Sequence, residues 1–439
     1  MPAPPKTDTA WATYLDRHIA AVAVMGFASG LPLFLSSSTL AARLADAGVD
    51  LTTIGLFAAV GVPYTLKFLW APIIDGWRLP LLERRLGHRR AWILVAQLGV
   101  VASLIALAAT DPVRAPWWTA LAAFALSACS ATQDIAIDAY RVELVEPDRQ
   151  AAAAAAAVFG YRMAMLASGA GALVLAATFE ATLPTPAAWS RTYVAMAALM
   201  AALAAWNVGL APKVVASAQP AHRSVAQVML TYVVDPFVAF ARRRFWATTL
   251  VFVVCFKLAD ALAATLQNPF LLDLGFDKPQ IASIAKTYGL VASLAGAFLG
   301  GAVVRRIGLG SSLAAASVAM LLSNLVFAWQ ASVGADPAAL AITITVENVT
   351  GGFGTAAFVA YMALLCDRRY TATQYALLTS ASSLARTVLS TSAGELAATL
   401  GWPAFFGFTA AAGLPALALL AVLLRAGAVR ELTERRSEA

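Results

Sequence analysis

The sequence predicts an all-α membrane protein: twelve transmembrane helices in two six-helix halves, with both termini on the cytoplasmic side. Three observations carry that prediction. Apolar residues make up 60% of the 439 residues and charged residues only 13%, whereas a soluble domain carries about 25% charge. Apolar stretches of about 20 residues, the length that crosses a bilayer, recur along the whole chain. The basic residues between them concentrate in alternate loops, the distribution that fixes orientation in a membrane.

The expected spans are 18–45, 51–75, 90–110, 116–141, 150–178, 189–211, 245–272, 279–304, 310–330, 338–366, 372–397 and 402–425. The first has no cleavable signal-peptide layout, since it holds Gly26, Gly30 and Pro32 and runs straight into the next span. With the start of the chain placed in the cytoplasm, the loops after even-numbered spans carry most of the arginines. Among these are Arg84 and Arg85, Arg149, Arg242 to Arg244, Arg305 and Arg306, and Arg368 and Arg369; the opposite loops hold only Arg43, Arg114, Arg191 and Lys278. The polar stretch 212–244 separates residues 1–211 from residues 245–439, six spans on each side. The net charge of +7 thus belongs to membrane-facing loops and not to nucleic-acid binding. Cys129, Cys255 and Cys366 lie in apolar stretches without metal or redox spacing and read as core filler. No cofactor, metal site or catalytic group is expected, so the chain is not read as an enzyme.

A charge at the centre of a bilayer costs about 2.5–3.5 kcal/mol even on the gentler insertion scale, so each one calls for a partner or a cavity. The intramembrane charges are Lys67, Asp134, Asp138, Arg162, Lys257, Asp260, Lys286, Glu347 and Arg386, with Glu395 near an outer end. Asp134, Asp138 and Arg141 are spaced to share one helical face. Desolvation favours the neutral form of a carboxylate, as proton coupling requires; alternatively Asp138 simply pairs with Arg141. Lys257 and Asp260 form an i, i+3 pair of opposite sign, either a fixed internal ion pair or one that opens during a cycle. Arg162 and Arg386 fall in the fifth and eleventh spans. Both are expected to face a central cavity, where a guanidinium suits carboxylate or phosphate, or else to pair with Glu347 or Asp134. His18, His88 and His222 lie at helix ends or in loops, which leaves carboxylates as the proton carriers.

Smaller signals concern the backbone. Gly26-x-x-x-Gly30 and Gly296-x-x-x-Gly300 permit close helix approach. Pro32 is expected to bend the first helix, and Gly351-Gly352-x-Gly354 to loosen the tenth. Asp75 followed by Gly87-His88-Arg89-Arg90 is either a positive loop or a charged clasp between the cytoplasmic ends of neighbouring helices.

Several stretches resemble the AmpG family of muropeptide permeases, within the major facilitator superfamily. They are Gly26-Phe27-Ala28-Ser29-Gly30-Leu31-Pro32, Tyr64-x-x-Lys67-Phe68-Leu69-Trp70-Ala71-Pro72-x-x-Asp75, Ser130-Ala131-Thr132-Gln133-Asp134-Ile135-Ala136-Ile137-Asp138, Gly160-Tyr161-Arg162 and Lys257-x-x-Asp260. The resemblance covers most of the first half and thins after about residue 300. It implies an inner-membrane carrier that imports GlcNAc–1,6-anhydroMurNAc and its peptides, driven by protons through alternating access. The expected proton-coupling residues are Asp134, Asp138, Asp260 and Glu347. The expected substrate-binding residues are Gly30, Lys67, Gln133, Tyr161, Arg162, Lys257 and Arg386. The expected partners are a small anionic glycopeptide, protons and the lipid bilayer, with the chain a monomer. Better-known members run longer at the C-terminus than this chain, and carriage of another organic anion, such as acetyl-CoA or a short peptide, stays open as the alternative.

Overall fold

The computed structural model describes residues 15–49, 51–214, 234–276, 280–390 and 393–437. All regular structure among them is helical. Residues 215–233 of the expected linker, with His222 and Arg223, lie outside the described residues, as does Lys278.

The chain begins with α1 (Arg17–Leu35) and α2 (Ser38–Asp46), and continues through α3 (Leu51–Leu56), α4 (Val62–Leu66), α5 (Ala71–Gly76) and α6 (Pro80–Leu86). Long helices follow: α7 (His88–Ala109), α8 (Pro116–Leu144), α9 (Gln150–Leu166), α10 (Ala172–Glu180) and α11 (Thr185–Gly209). After the linker come α12 (Asp235–Ala241), α13 (Trp246–Cys255), α14 (Leu258–Asp273), α15 (Gly289–Ile307), α16 (Leu309–Val333) and α17 (Pro337–Leu365). The chain closes with α18 (Thr371–Ser390), α19 (Ala393–Leu400), α20 (Trp402–Ala411), α21 (Leu414–Arg425) and α22 (Ala428–Ser437).

Ten helical segments among the described residues are long and apolar enough to cross a membrane, where the sequence predicts twelve. The difference lies in the second and eleventh expected spans. The second holds Gly55, Gly61, Pro63 and Pro72 and breaks into α3, α4 and α5, joined by 3₁₀ turns at Phe57–Gly61 and Lys67–Leu69. Proline removes a backbone donor and glycine weakens a helix interior, so this composition does not sustain one rod. The eleventh is helical over Thr371–Ser390, but its Thr, Ser and Gln residues and Arg386 make it too polar to qualify. The backbone stays helical at two further signals. α1 runs through Pro32 to Leu35 and breaks at Ser36–Ser37. α17 is continuous through Gly351 to Gly354, and two of these glycines make close packing contacts: a Cβ at Gly352 would meet the Ser293 carbonyl, and one at Gly354 the Met320 sulfur.

Large apolar side chains point outward along the rods, among them Leu98, Ile105, Leu121, Val291 and Leu322, each more than half exposed. A soluble monomer rarely presents so extended an apolar exterior; hydrocarbon is the solvent that suits it.

The two ends of the bundle are built differently. Arg149, at the turn between α8 and α9, donates to Asp16 at the start of α1 at 2.8 Å. α22 packs against the same turn, so both described ends of the chain lie on one face, here termed the terminal face. Near it the apolar clusters cross between the halves of the chain: Ala372 and Ala376 of α18 join Ala71, Ile74 and Tyr140, and Val142 and Ala151 join Phe358 and Tyr361. Toward the opposite face each cluster stays within one half, around Leu104 and Met200 in one and around Phe270 and Phe406 in the other.

Glycine sets the seam between α1 and α9. A Cβ at Gly160 would overlap the Ala23 carbonyl, one at Gly26 the Ala157 carbonyl, and one at Gly30 would stand 2.6 Å from the Tyr161 carbonyl. The backbones touch, so no side chain fits between them. Gly160→Val is therefore expected to cost about 1–3 kcal/mol of overpacking. Its thermal unfolding midpoint in detergent should fall by several degrees. Gly209→Ala, at a helix end with nothing within 4 Å of its Cβ position, should leave the midpoint unchanged.

Candidate functional site

Three groups of polar residues interrupt the apolar interior. The first closes the terminal face. Asp75, at the end of α5, is fully buried. Its carboxylate accepts from the backbone N–H of Ala372 at 3.1 Å and of Thr373 at 2.7 Å, and from the Thr373 hydroxyl at 2.6 Å. Those two N–H groups belong to the first turn of α18 and have no partner within that helix. Asp75 thus caps α18 from the other half of the chain and places negative charge at the positive end of its dipole. Arg89 of α7 donates to Asp75 at 2.7 Å and to Glu143 of α8 at 2.7 Å. The charged clasp left open by the sequence is therefore present, and it reaches across the two halves. Removing one partner of such a buried pair typically costs about 3–5 kcal/mol. Beside it, the Arg141 guanidinium stands over the Tyr375 ring at 5.2 Å, a second contact between α8 and α18.

The second group lies within the first half. Ser29 of α1 donates to Asp134 of α8 at 2.5 Å. Lys67 acts electrostatically on both Asp134 and Asp138, and Tyr64 and Tyr161 lie within electrostatic reach of Asp134. Trp70 donates to Thr132 at 3.1 Å and ties the broken second rod to α8. Asp138 stands 3.9 Å from Arg141, so the pairing alternative for Asp138 is realised in this arrangement. Asp134 has no ion pair within 4 Å among the described residues. Arg162 is half-buried on α9, and no hydrogen bond or ion pair engages its guanidinium among the described residues. Two expected residues sit apart from the group. Gln133 is wholly buried, with neither amide atom hydrogen-bonded among the described residues. Gly30 serves the α1–α9 seam.

The third group lies within the second half. Lys257, at the turn between α13 and α14, pairs with Asp260 at 3.1 Å and donates to the Gly351 carbonyl of α17 at 3.2 Å. Glu347 lies one turn before Gly351 and accepts from Asn348. Arg386 is on α18, but its side chain lies outside the described residues, as does that of Lys286. No hydrogen bond or ion pair among the described residues links the second group to the third.

Several participants escape sequence reasoning. Ser29, Thr373 and Glu143, an acid at the end of α8, have roles that depend on a distant partner. Arg43, expected in an outer loop, is buried: it donates to the Leu107 and Thr110 carbonyls at 2.7 and 2.5 Å and closes the C-terminal end of α7. Among the described residues, no group of His, Cys, Asp and Glu could hold a metal ion.

Comparison with known proteins adds the following. A family model described as Acetyl-coenzyme A transporter 1 matches residues 19–114, and one described as Major Facilitator Superfamily matches residues 254–439. The chain is 36% identical over 410 residues to a putative transporter AmpG 4 of Rickettsia felis, covering 93% of this chain and 97% of that one. It is 35% identical over 405 residues to the anhydromuropeptide permease of Escherichia coli, covering 92% and 79% respectively. In solved structures the fold is similar to the E. coli fucose:proton symporter, with a TM-score of 0.69 and 14% identity over 92% of this chain and 98% of that one. It is also similar to the human organic anion transporter MFSD10, with a TM-score of 0.61 and 17% identity over 95% and 100%.

The clasp makes a direct prediction. In a cysteine-free background, Ala376→Cys, buried at the crossing between the halves, should react slowly with a membrane-permeant maleimide. Adding Asp75→Asn should speed the reaction several-fold, because the amide keeps the shape but loses the charge that Arg89 and the α18 terminus hold.

Proposed function

The chain belongs to the AmpG family of major facilitator permeases, and from that membership we propose that it imports cell-wall turnover muropeptides, GlcNAc–1,6-anhydroMurNAc and its peptides, across the bacterial inner membrane. The observation that carries this reading is its 35% identity, across nearly the whole chain, to a protein named anhydromuropeptide permease. Arg162, without a hydrogen bond or ion pair among the described residues, adds chemical support, since muropeptide stems end in carboxylates and a guanidinium binds carboxylate through a fixed fork of donors.

In this proposal the chain crosses the membrane twelve times, the broken second rod and polar α18 completing the count. Residues 1–211 and 245–439 are two six-helix halves joined by the 212–244 linker. The terminal face is cytoplasmic, because the loop arginines gather there. The protein works as a monomer. Substrate enters from the opposite face and meets the two charged groups between the halves. Arg162, Lys67 and Tyr161 contact it from one half, and Lys257 and Arg386 from the other. Gln133 and Gly30 support the helices that carry those contacts.

Asp134 is the residue assigned to proton uptake. Among the described residues it is the one carboxylate of the second group held by a hydroxyl, from Ser29, and it has no ion pair there. A proton on Asp134 frees Lys67 to attract substrate; return of the proton to the cytoplasm restores the starting charges. Asp138, Asp260 and Glu347 hold their local cations or amides in register during that cycle. The clasp at Asp75 opens when substrate and proton are both aboard, which gives alternating access.

The experiment is uptake of labelled GlcNAc–anhydroMurNAc-tripeptide into proteoliposomes with and without an inward proton gradient. Accumulation that collapses with a protonophore supports the proposal, and its absence while another anion exchanges rejects the substrate. Asp134→Asn should abolish proton-driven accumulation while the protein still folds. Arg162→Ala should weaken substrate affinity about tenfold, corresponding to about 1.4 kcal/mol, measured by equilibrium binding. A second reading, carriage of an acyl-CoA-like anion, draws on the acetyl-CoA transporter match over residues 19–114; acetyl-CoA would then displace bound ligand, and muropeptide would not.

A further inference from the structure

A large groove lies apart from the charged groups described above. It measures about 1060 Å³ and opens on the terminal face, between the turn at Glu146–Asp148 in the first half and the ends of α15, α17, α21 and α22 in the second. Its second-half wall is apolar, with Val304, Leu309, Leu364 and Val429 packed behind it. Two arginines enter from that wall, Arg305 at the end of α15 and Arg368 after α17. In each a guanidinium nitrogen is buried and has no hydrogen-bond partner among the described residues: Nη1 of Arg305 and Nε of Arg368. The other charged groups of the groove are engaged or peripheral. Arg430 pairs with Glu434 at 2.7 Å, Glu146 is directed to Arg149 at 4.0 Å, and Asp148 lies exposed on the far rim.

A buried guanidinium donor without a partner is costly, and two arginines that each carry one and line the same groove call for an anion. The groove is far larger than an inorganic anion needs, and its apolar wall would lose nothing by meeting hydrocarbon. We infer that this groove binds an anionic phospholipid, its phosphate seated on Arg305 and Arg368 and an acyl chain laid along the Val304–Leu309–Val429 wall. Basic pockets between helices at a membrane boundary take such headgroups, and a guanidinium fork matches phosphate oxygens. One wall belongs to each half of the chain, so the bound lipid bridges the halves at the terminal face, as the Asp75 clasp does. It holds the terminal face shut together with that clasp. The inference stands apart from the transported substrate: it rests on the groove alone, and its test needs no transport.

The test is lipid retention. The purified protein is placed in nanodiscs of phosphatidylcholine with a minor fraction of phosphatidylglycerol, re-extracted in mild detergent, and examined by native mass spectrometry. The expected result is one retained phosphatidylglycerol per chain, reduced at least fivefold in the Arg305→Gln, Arg368→Gln double variant. Arg84→Gln, an exposed arginine outside the groove, should retain as much as the wild type. Ser311→Trp, at an exposed groove position, keeps both arginines and fills the space. It should lose the lipid equally, so the inference stays testable if the double variant folds poorly. Equal retention in wild type and Ser311→Trp would overturn the site. Displacement of the lipid by soluble glycerol 1-phosphate at equal concentration would overturn the lipid and assign the two arginines to a free phosphate ester.

Discussion

The arrangement of the whole molecule turns on one buried carboxylate. Asp75 is sealed from solvent, yet it receives four hydrogen bonds, two of them from the otherwise unpartnered N–H groups that open α18. An isolated charge in that position would be prohibitively costly. With Arg89 and the helix terminus around it, the charge becomes the strongest polar link between the two halves of the chain. Because a helix end is satisfied from across the seam, the halves cannot separate at the terminal face without exposing donors on one side and a charge on the other.

Three half-buried acids among the described residues find a polar partner inside their own half. Asp134 takes a hydroxyl from Ser29, Asp138 leans on Arg141, and Lys257 pairs with Asp260 and the Gly351 carbonyl. Nothing among the described residues ties one of these groups to the other. The apolar clusters repeat the pattern, crossing between the halves near the terminal face and staying separate near the opposite one. The proposed alternation of access would exchange few polar contacts among the described residues other than the clasp. The glycine seams of α1 with α9 and α15 with α17 keep each half rigid while that happens.

Much of this is legible in the sequence, and the exceptions have physical causes. Rods with long apolar runs, such as α7 and α16, fall where hydropathy places them. The second span is harder, because glycine, proline and Lys67 break its backbone without changing its average composition. Pairs close in sequence are readable: Lys257 with Asp260 and Asp138 with Arg141 obey helical spacing. Pairs remote in sequence are not. Ser29 with Asp134, Arg89 with Glu143 and Arg43 with the end of α7 depend on how rods dock, and nothing in a local window specifies that. Gln133 shows the reverse limit. It adjoins Asp134 in the chain, but a rotation of about 100° per residue puts it on a different face of α8.

The most direct test of this account is the side from which the Asp134 group can be reached. Ser29→Cys, in an otherwise cysteine-free chain reconstituted in one orientation, places a thiol beside that carboxylate. With the clasp intact and no substrate present, a membrane-impermeant reagent should label it from the face opposite the termini and not from the terminal face. Labelling from the terminal face under those conditions would contradict the claim that Asp75 and α18 close that side.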